Sequence, residues 1–266
     1  MSSSLYSPNV LSPFIQLKFP AGVALFLDID GTLLEIAEKP ESVDVPEGLK
    51  QVLNDLENCL DGALAFVSGR SISDVDRLFE PLKLPTSGKH GLERRDSFRK
   101  IHQGRFRNSK DFTNIKKVLK TFAIKNPGTV LEDKGKTIAL HYRLKPNAGS
   151  HAKKLISNLN IDQNDLEVLS GKMVLEVKPR VFNKGTAISK FMMEYPFIGR
   201  IPIFIGDDVS DEAGFKTVNA RGGVSICVNP EIKSAARWKV ANVSSVLNML
   251  TTFSARMKKI KTGYRL

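Results

Sequence analysis

Four short apolar runs, three of them closed by chemically loaded residues, set the limits on what this chain can become. Gly22-Val23-Ala24-Leu25-Phe26-Leu27 ends in Asp28-Ile29-Asp30-Gly31-Thr32. Ala63-Leu64-Ala65-Phe66-Val67 ends in Ser68-Gly69-Arg70, and Ile203-Phe204-Ile205 ends in Gly206-Asp207-Asp208. Val224-Ser225-Ile226-Cys227-Val228 is the fourth run. None alternates with polar residues, so each suits a strand buried on both faces, as in a parallel sheet. Helical spacing follows: Leu49, Val52, Leu53 and Leu56 after Pro46; Ile72, Val75, Leu78 and Phe79 after Ser71; Ile188, Phe191, Met192 and Tyr195 after Lys184. This alternation predicts an α/β protein built on a Rossmann-like, doubly wound parallel sheet.

The middle of the chain follows another period. Phe112, Ile115, Val118, Leu119 and Phe122 mark a helix. In 137–144 the residues Ile138, Leu140, Tyr142 and Leu144 share one face, with His141 and Arg143 opposite. In 172–178 Met173, Leu175 and Val177 share a face, with Lys172, Glu176 and Lys178 opposite. Such alternation predicts a sheet buried on one side only. The expected organisation is a flexible arm at 1–20, a core at 21–107, an inserted α+β cap at 108–180, the rest of the core at 181–250, and a solvated basic tail at 251–266.

Composition narrows the classes. The 266 residues carry a net charge of +12, which suits an anionic partner: nucleic acid, a membrane surface or a phosphorylated substrate. No nucleic-acid signature accompanies the charge. No apolar run approaches the ~20 residues of a membrane helix, and the N-terminus has no basic-then-apolar signal pattern. Cys59 and Cys227 stand far apart without metal-ligand spacing, so the expected setting is a reducing cytoplasm.

In an open parallel sheet, ligands bind beyond the carboxyl ends of the strands. Asp28, Asp30, Asp207 and Asp208 would then crowd together and raise one another's pKa, which a hard cation such as Mg²⁺ would relieve. A carboxylate so held is a plausible nucleophile toward phosphorus. The Ser68 hydroxyl and the Lys184 ammonium could hold phosphate oxygens. A second carboxylate two residues from the nucleophile can act as acid and base. Taken alone, Asp28-Ile29-Asp30 could merely terminate a strand.

Together, Asp28-Ile29-Asp30-Gly31-Thr32-Leu33, Ser68, Lys184 and Gly206-Asp207-Asp208 resemble the four motifs of the haloacid dehalogenase superfamily, in order and with room for a cap between the second and third. Ser68-Gly69-Arg70-Ser71, the stretch from Gly88 to Arg95, Ala139-Leu140-His141-Tyr142-Arg143, Glu176-Val177-Lys178-Pro179-Arg180 and the stretch from Gly206 to Glu212 are similar to trehalose-6-phosphate phosphatases of the bacterial type. The resemblance implies that Asp28 is a nucleophile forming an aspartyl-phosphate and that Asp30 is the acid/base. It implies that Ser68 and Lys184 hold phosphate, and that Mg²⁺ is bound by Asp28, Asp207 and the Asp30 carbonyl, with Asp208 and Asp211 supporting the site. Glu132, Lys134 and Glu176 are the implied sugar contacts, and Arg70, His90, Arg94, His141, Arg143 and Lys178 are further candidates. Val181-Phe182 departs from the family pattern, which often has glycine after Pro-Arg. The implied activity is Mg²⁺-dependent hydrolysis of trehalose 6-phosphate, closing trehalose biosynthesis. The expected partner is the sugar phosphate, with a trehalose-6-phosphate synthase as a candidate and a monomer as the expected state. The competing readings are a sugar phosphatase of other specificity, a hexose phosphomutase, and a non-catalytic basic binding protein.

Overall fold

A computed structural model describes residues 22–36, 43–104, 110–133, 135–159, 165–171, 173–231 and 233–263. The arm at 1–20 and the candidate Lys134 lie outside the described residues.

Among the described residues the central sheet has eight strands, in the order β12-β11-β10-β1-β2-β3-β4-β5. β1 (Val23–Leu27) lies between β2 (Leu64–Val67) and β10 (Ile201–Gly206), and pairs with both in parallel. β3 (Thr86–Gly88) extends the parallel part beyond β2, and β11 (Val224–Val228) and β12 (Trp238–Val240) extend it beyond β10. Every residue of β1 is buried, as its unbroken apolar run requires. The direction of chain progression reverses between β1 and β10. That switch point opens a crevice at the strands' carboxyl ends, and Asp28 and Asp207 stand there.

No periodic signal marks the antiparallel extension β4 (Glu93–Arg95) and β5 (Ile101–Gln103), because both are only three residues long and β4 is wholly charged. Arg94 and Arg95 lie on β4. Both arginines are buried. Arg95 ion-pairs with Asp76 at 2.7 Å and donates to the Leu84 carbonyl.

Helices α1 (Leu49–Cys59), α2 (Ile72–Phe79), α5 (Lys184–Phe191), α6 (Glu212–Ala220) and α7 (Val243–Gly263) contribute their apolar faces to one core with this sheet. α7 overturns the expected basic tail. It runs through residue 263, and Phe253 and Met257 sit in the core against α1. Lys258 and Lys261 reach Asp55 and Asp61 across the α1 side. Lysine density hid a helix whose apolar residues recur every three or four positions.

The second unit has its own core. The antiparallel sheet β6-β7-β9-β8 comprises β6 (Val130–Asp133), β7 (Ile138–His141), β9 (Val174–Pro179) and β8 (Leu166–Gly171). Helices α3 (Lys110–Lys125) and α4 (Ala148–Ser157) cover one face, burying Phe112, Ile115, Leu119, Ala152 and Ile156 against Leu140, Leu175 and Val177. On β9 the expectation of one-sided burial fails. Glu176 and Lys178, on the polar face, are also buried. At these two residues the face meets the core unit: Glu176 reaches His90, and Lys178 pairs with Glu167 and reaches the Phe182 carbonyl.

Candidate active site

Asp28 follows β1, and its amide donates to the Ile205 carbonyl of β10 at 3.0 Å. Asp207 follows β10. Lys184 opens α5, where Asn183 and Thr186 form a reciprocal capping box that fixes the first turn. From there the buried Lys184 ammonium reaches Asp28 Oδ1 at 2.7 Å and Asp211 Oδ1 at 2.7 Å. The other oxygen of Asp211 accepts the amides of Asp207 at 3.1 Å and Asp208 at 3.0 Å. One buried carboxylate therefore shapes the loop after β10 and anchors the lysine.

Ligand oxygens of Asp28, Asp207 and Asp211 lie within 4.8 Å of one another. Burial pushes the Asp28 carboxyl well above its usual range, only partly offset by Lys184, and the charges of Asp211 and Asp207 push the same way. Burial and the Asp211 charge push Asp207 up to about 7. The Lys184 ammonium is held protonated: its two carboxylate neighbours outweigh the burial that disfavours its charge. Three carboxylates against one ammonium leave a cluster short of positive charge. All the donors are hard oxygens, so the residues fit Mg²⁺. Gly31 completes the pocket. Its φ is +78°, and a Cβ there would overlap the Asp207 carboxylate, so glycine is needed on both counts.

The side chain of Asp30 lies outside this cluster and pairs instead with Arg70, from Nε to Oδ2 at 2.7 Å and from Nη2 to Oδ1 at 2.6 Å. Ser68 Oγ accepts the Arg70 amide at 3.1 Å, and the hydroxyl is buried at the end of β2.

Several sequence-derived assignments change. Asp208 does not join the three carboxylates. Its side chain caps the short helical turn Val209–Asp211 by accepting the Val209 amide. Of the two residues expected to support the metal site, Asp211 joins the cluster and Asp208 does not. Asp211 lies three positions after Asp208, and the turn swings its carboxylate back under the strand end, which spacing alone does not reveal.

Arg94, expected at the sugar, is buried in a two-pronged pair with Glu194 at 2.6 and 2.7 Å, with its guanidinium 5.1 Å from the Phe191 ring. That geometry ties β4 to the segment after α5 and uses the arginine structurally. Lys178 is likewise engaged. It pairs with Glu167 at 3.0 Å and donates to the Phe182 carbonyl at 2.6 Å, fastening the atypical Val181-Phe182 loop that leads into Lys184. Glu132 and His141 meet at 3.1 Å on neighbouring strands, half-exposed. Arg143 is partly buried just beyond β7. His90 Nε2 meets Glu176 Oε2 at 3.0 Å, joining the core unit to the cap sheet.

The profile of the trehalose-phosphatase family matches residues 26–245. A probable trehalose-phosphate phosphatase of Sinorhizobium fredii is 43% identical over 213 residues, 80% of each chain. The trehalose-6-phosphate phosphatase of Escherichia coli is 41% identical over 248 residues, 92% of this chain and 91% of that one. Among solved structures, the C-terminal domain of C. albicans trehalose-6-phosphate phosphatase superposes with a TM-score of 0.82 over 96% of this chain and 98% of that one, at 21% identity. A phosphatase of the haloalkanoate (HAD) superfamily from Bacteroides thetaiotaomicron shares the fold with a TM-score of 0.60, at 16% identity. With its carboxylates and lysine gathered at the switch point of a HAD-type sheet, the chain belongs to the trehalose-phosphatase family.

Proposed function

We propose that the protein hydrolyses trehalose 6-phosphate to trehalose and inorganic phosphate with the help of Mg²⁺. The carrying observation is the Asp28–Lys184–Asp211 bridge beside Asp207 at the switch point, in a chain of this family. Asp28 Oδ attacks phosphorus and the bond to the sugar oxygen breaks. Asp30 gives that oxygen its proton, so the sugar leaves as a neutral alcohol. Asp30 then takes a proton from water, whose oxygen attacks phosphorus and releases Asp28 and phosphate. Ser68 and Lys184 face the charge on the phosphoryl oxygens, and Lys184 also keeps Asp28 oriented. Asp28 and Asp207, with Asp211 beside them, would hold Mg²⁺, which supplies positive charge against the phosphate and keeps Asp28 ionised. Glu132, Glu176 and His141, on the cap, are the proposed acceptors and donors for sugar hydroxyls, with Lys134 assigned to the same group by resemblance.

Phosphate release from trehalose 6-phosphate, sucrose 6-phosphate, glucose 6-phosphate and mannose 6-phosphate, with and without Mg²⁺, tests the reading. A strong Mg²⁺-dependent preference for the trehalose ester is expected. Equal rates on all four would overturn the sugar assignment, and retention of phosphate on a product sugar would indicate a mutase.

A further inference from the structure

His90 occupies an unusual backbone position. Lys89, His90 and Gly91 have φ of 48°, 55° and 100°, three consecutive left-handed residues of which only one is glycine. Such conformations are unfavourable for side-chain-bearing residues and persist where neighbours enforce them. Here the phosphate-holding loop does so. The Lys89 amide donates to the Arg70 carbonyl at 2.9 Å, and the His90 amide to the Ser68 carbonyl at 3.0 Å. The imidazole lies directly on Gly69, where an added Cβ would come within 2.6 Å of Nε2. The ring then crosses to the cap, Nε2 meeting Glu176 Oε2 at 3.0 Å with both side chains about one-tenth exposed. Its other nitrogen, Nδ1, is buried without a hydrogen-bond partner among the described residues.

A carboxylate only accepts, so Nε2 carries the proton in this contact. The strained turn is hydrogen-bonded to the phosphate loop at one end, and its side chain ends on a single atom of the cap. From these contacts we infer that His90 is a positioning residue for substrate specificity. It sets the distance and orientation of Glu176 relative to the Ser68–Arg70 loop, and so selects phosphate esters whose sugar places a hydroxyl at that fixed reach. The inference rests on the proposed role of Glu176 at the sugar.

Steady-state kinetics on trehalose 6-phosphate and on p-nitrophenyl phosphate, which carries phosphate but no sugar hydroxyls, test it. In His90→Ala, kcat/KM should fall about tenfold or more further for the sugar ester than for the nitrophenyl ester. His90→Gln, whose amide N–H can still reach the carboxylate, should recover part of that difference. Glu176→Ala should show the same bias, and the double variant should lose no more than the worse single one. Equal losses on both esters, or losses that multiply in the double variant, would overturn the inference. So would failure of both His90 variants to fold, which would make the residue purely structural. A wild-type enzyme active on the nitrophenyl ester but inactive on the trehalose ester would instead remove the sugar reading beneath it.

Discussion

Arg70 grips Asp30 through two hydrogen bonds of 2.6 and 2.7 Å, and the arginine is the more buried of the two: its side chain is 9% exposed against 36% for the aspartate. The clamp therefore sits beneath the carboxylate proposed as acid/base. Arg70, a candidate substrate contact by resemblance, here holds that carboxylate.

Removing the clamp should mainly lower kcat. Arg70→Ala leaves Asp30 present but unoriented, and general acid–base catalysis supplies about 10²–10⁴-fold. We expect a loss on the order of 10²-fold in kcat, with a smaller change in KM. Arg70→Lys should recover little, because an ammonium cannot hold both oxygens in one plane. A raised KM with kcat intact would instead mean that Arg70 binds the ester directly.

Lys184 is the sole cation within 4 Å of Asp28 and Asp211 among the described residues. Lys184→Met keeps the volume and removes the charge, leaving two buried carboxylates face to face. Breaking one side of a buried ion pair costs about 3–5 kcal/mol. Urea unfolding of the metal-free variant should show a loss of that order near neutral pH. The loss should shrink in acid, where the carboxyls take up protons and the repulsion ends.

The strand ends were legible because a buried parallel strand must be apolar throughout, so Asp28, Ser68 and Asp207 stood out as abrupt stops. The order of motifs also left room for an inserted unit between Ser68 and Lys184, where the four-stranded antiparallel sheet lies. What spacing does not encode is which way a side chain turns after the strand. Asp208 and Asp211 differ only in their position on one helical turn, yet one caps that turn and the other enters the cluster. Arg94 reads as a sugar candidate by resemblance alone, and Lys178 also because charge on a sheet face looks functional. Their partners, Glu194 and Glu167, are 100 and 11 residues away in sequence and follow no local pattern. β4 and β5 escaped notice because three-residue strands carry too little period to detect.

Mg²⁺ binding should release a proton. Asp207 titrates near 7 in the metal-free fold, far above its unfolded value. The folded state therefore holds this proton through a window from about 4 to 7. Its contribution to stability is present on the acid side and is lost as pH rises through that window. Asp28 is shifted in the same direction. A cation competes with the proton, so the thermal stabilisation given by saturating Mg²⁺ should be larger at about pH 8 than at about pH 6. Apparent affinity should fall by up to about tenfold per pH unit below 7. Stabilisation that does not vary with pH would mean that Asp207 is ionised before the metal arrives.

The last helix offers a test that separates charge from packing. α7 spans Val243–Gly263, and Phe253 and Met257 belong to the main core, while the half-exposed Lys258 and Lys261 ion-pair with Asp55 and Asp61. A solvated basic tail would tolerate loss of any of the four. The structure instead predicts that Phe253→Ala costs about 3–5 kcal/mol and Met257→Ala about 2–5 kcal/mol, each leaving a cavity beside α1. Lys258→Ala and Lys261→Ala should each cost under about 1 kcal/mol, because exposed pairs are screened and entropically expensive to hold. Truncation after residue 250 removes both buried side chains at once, a loss comparable with the whole stability of an ordinary domain, and the truncated chain should not fold. Denaturant unfolding of the four point variants decides the matter. Near-equal effects of Met257→Ala and Lys258→Ala would return this segment to the surface.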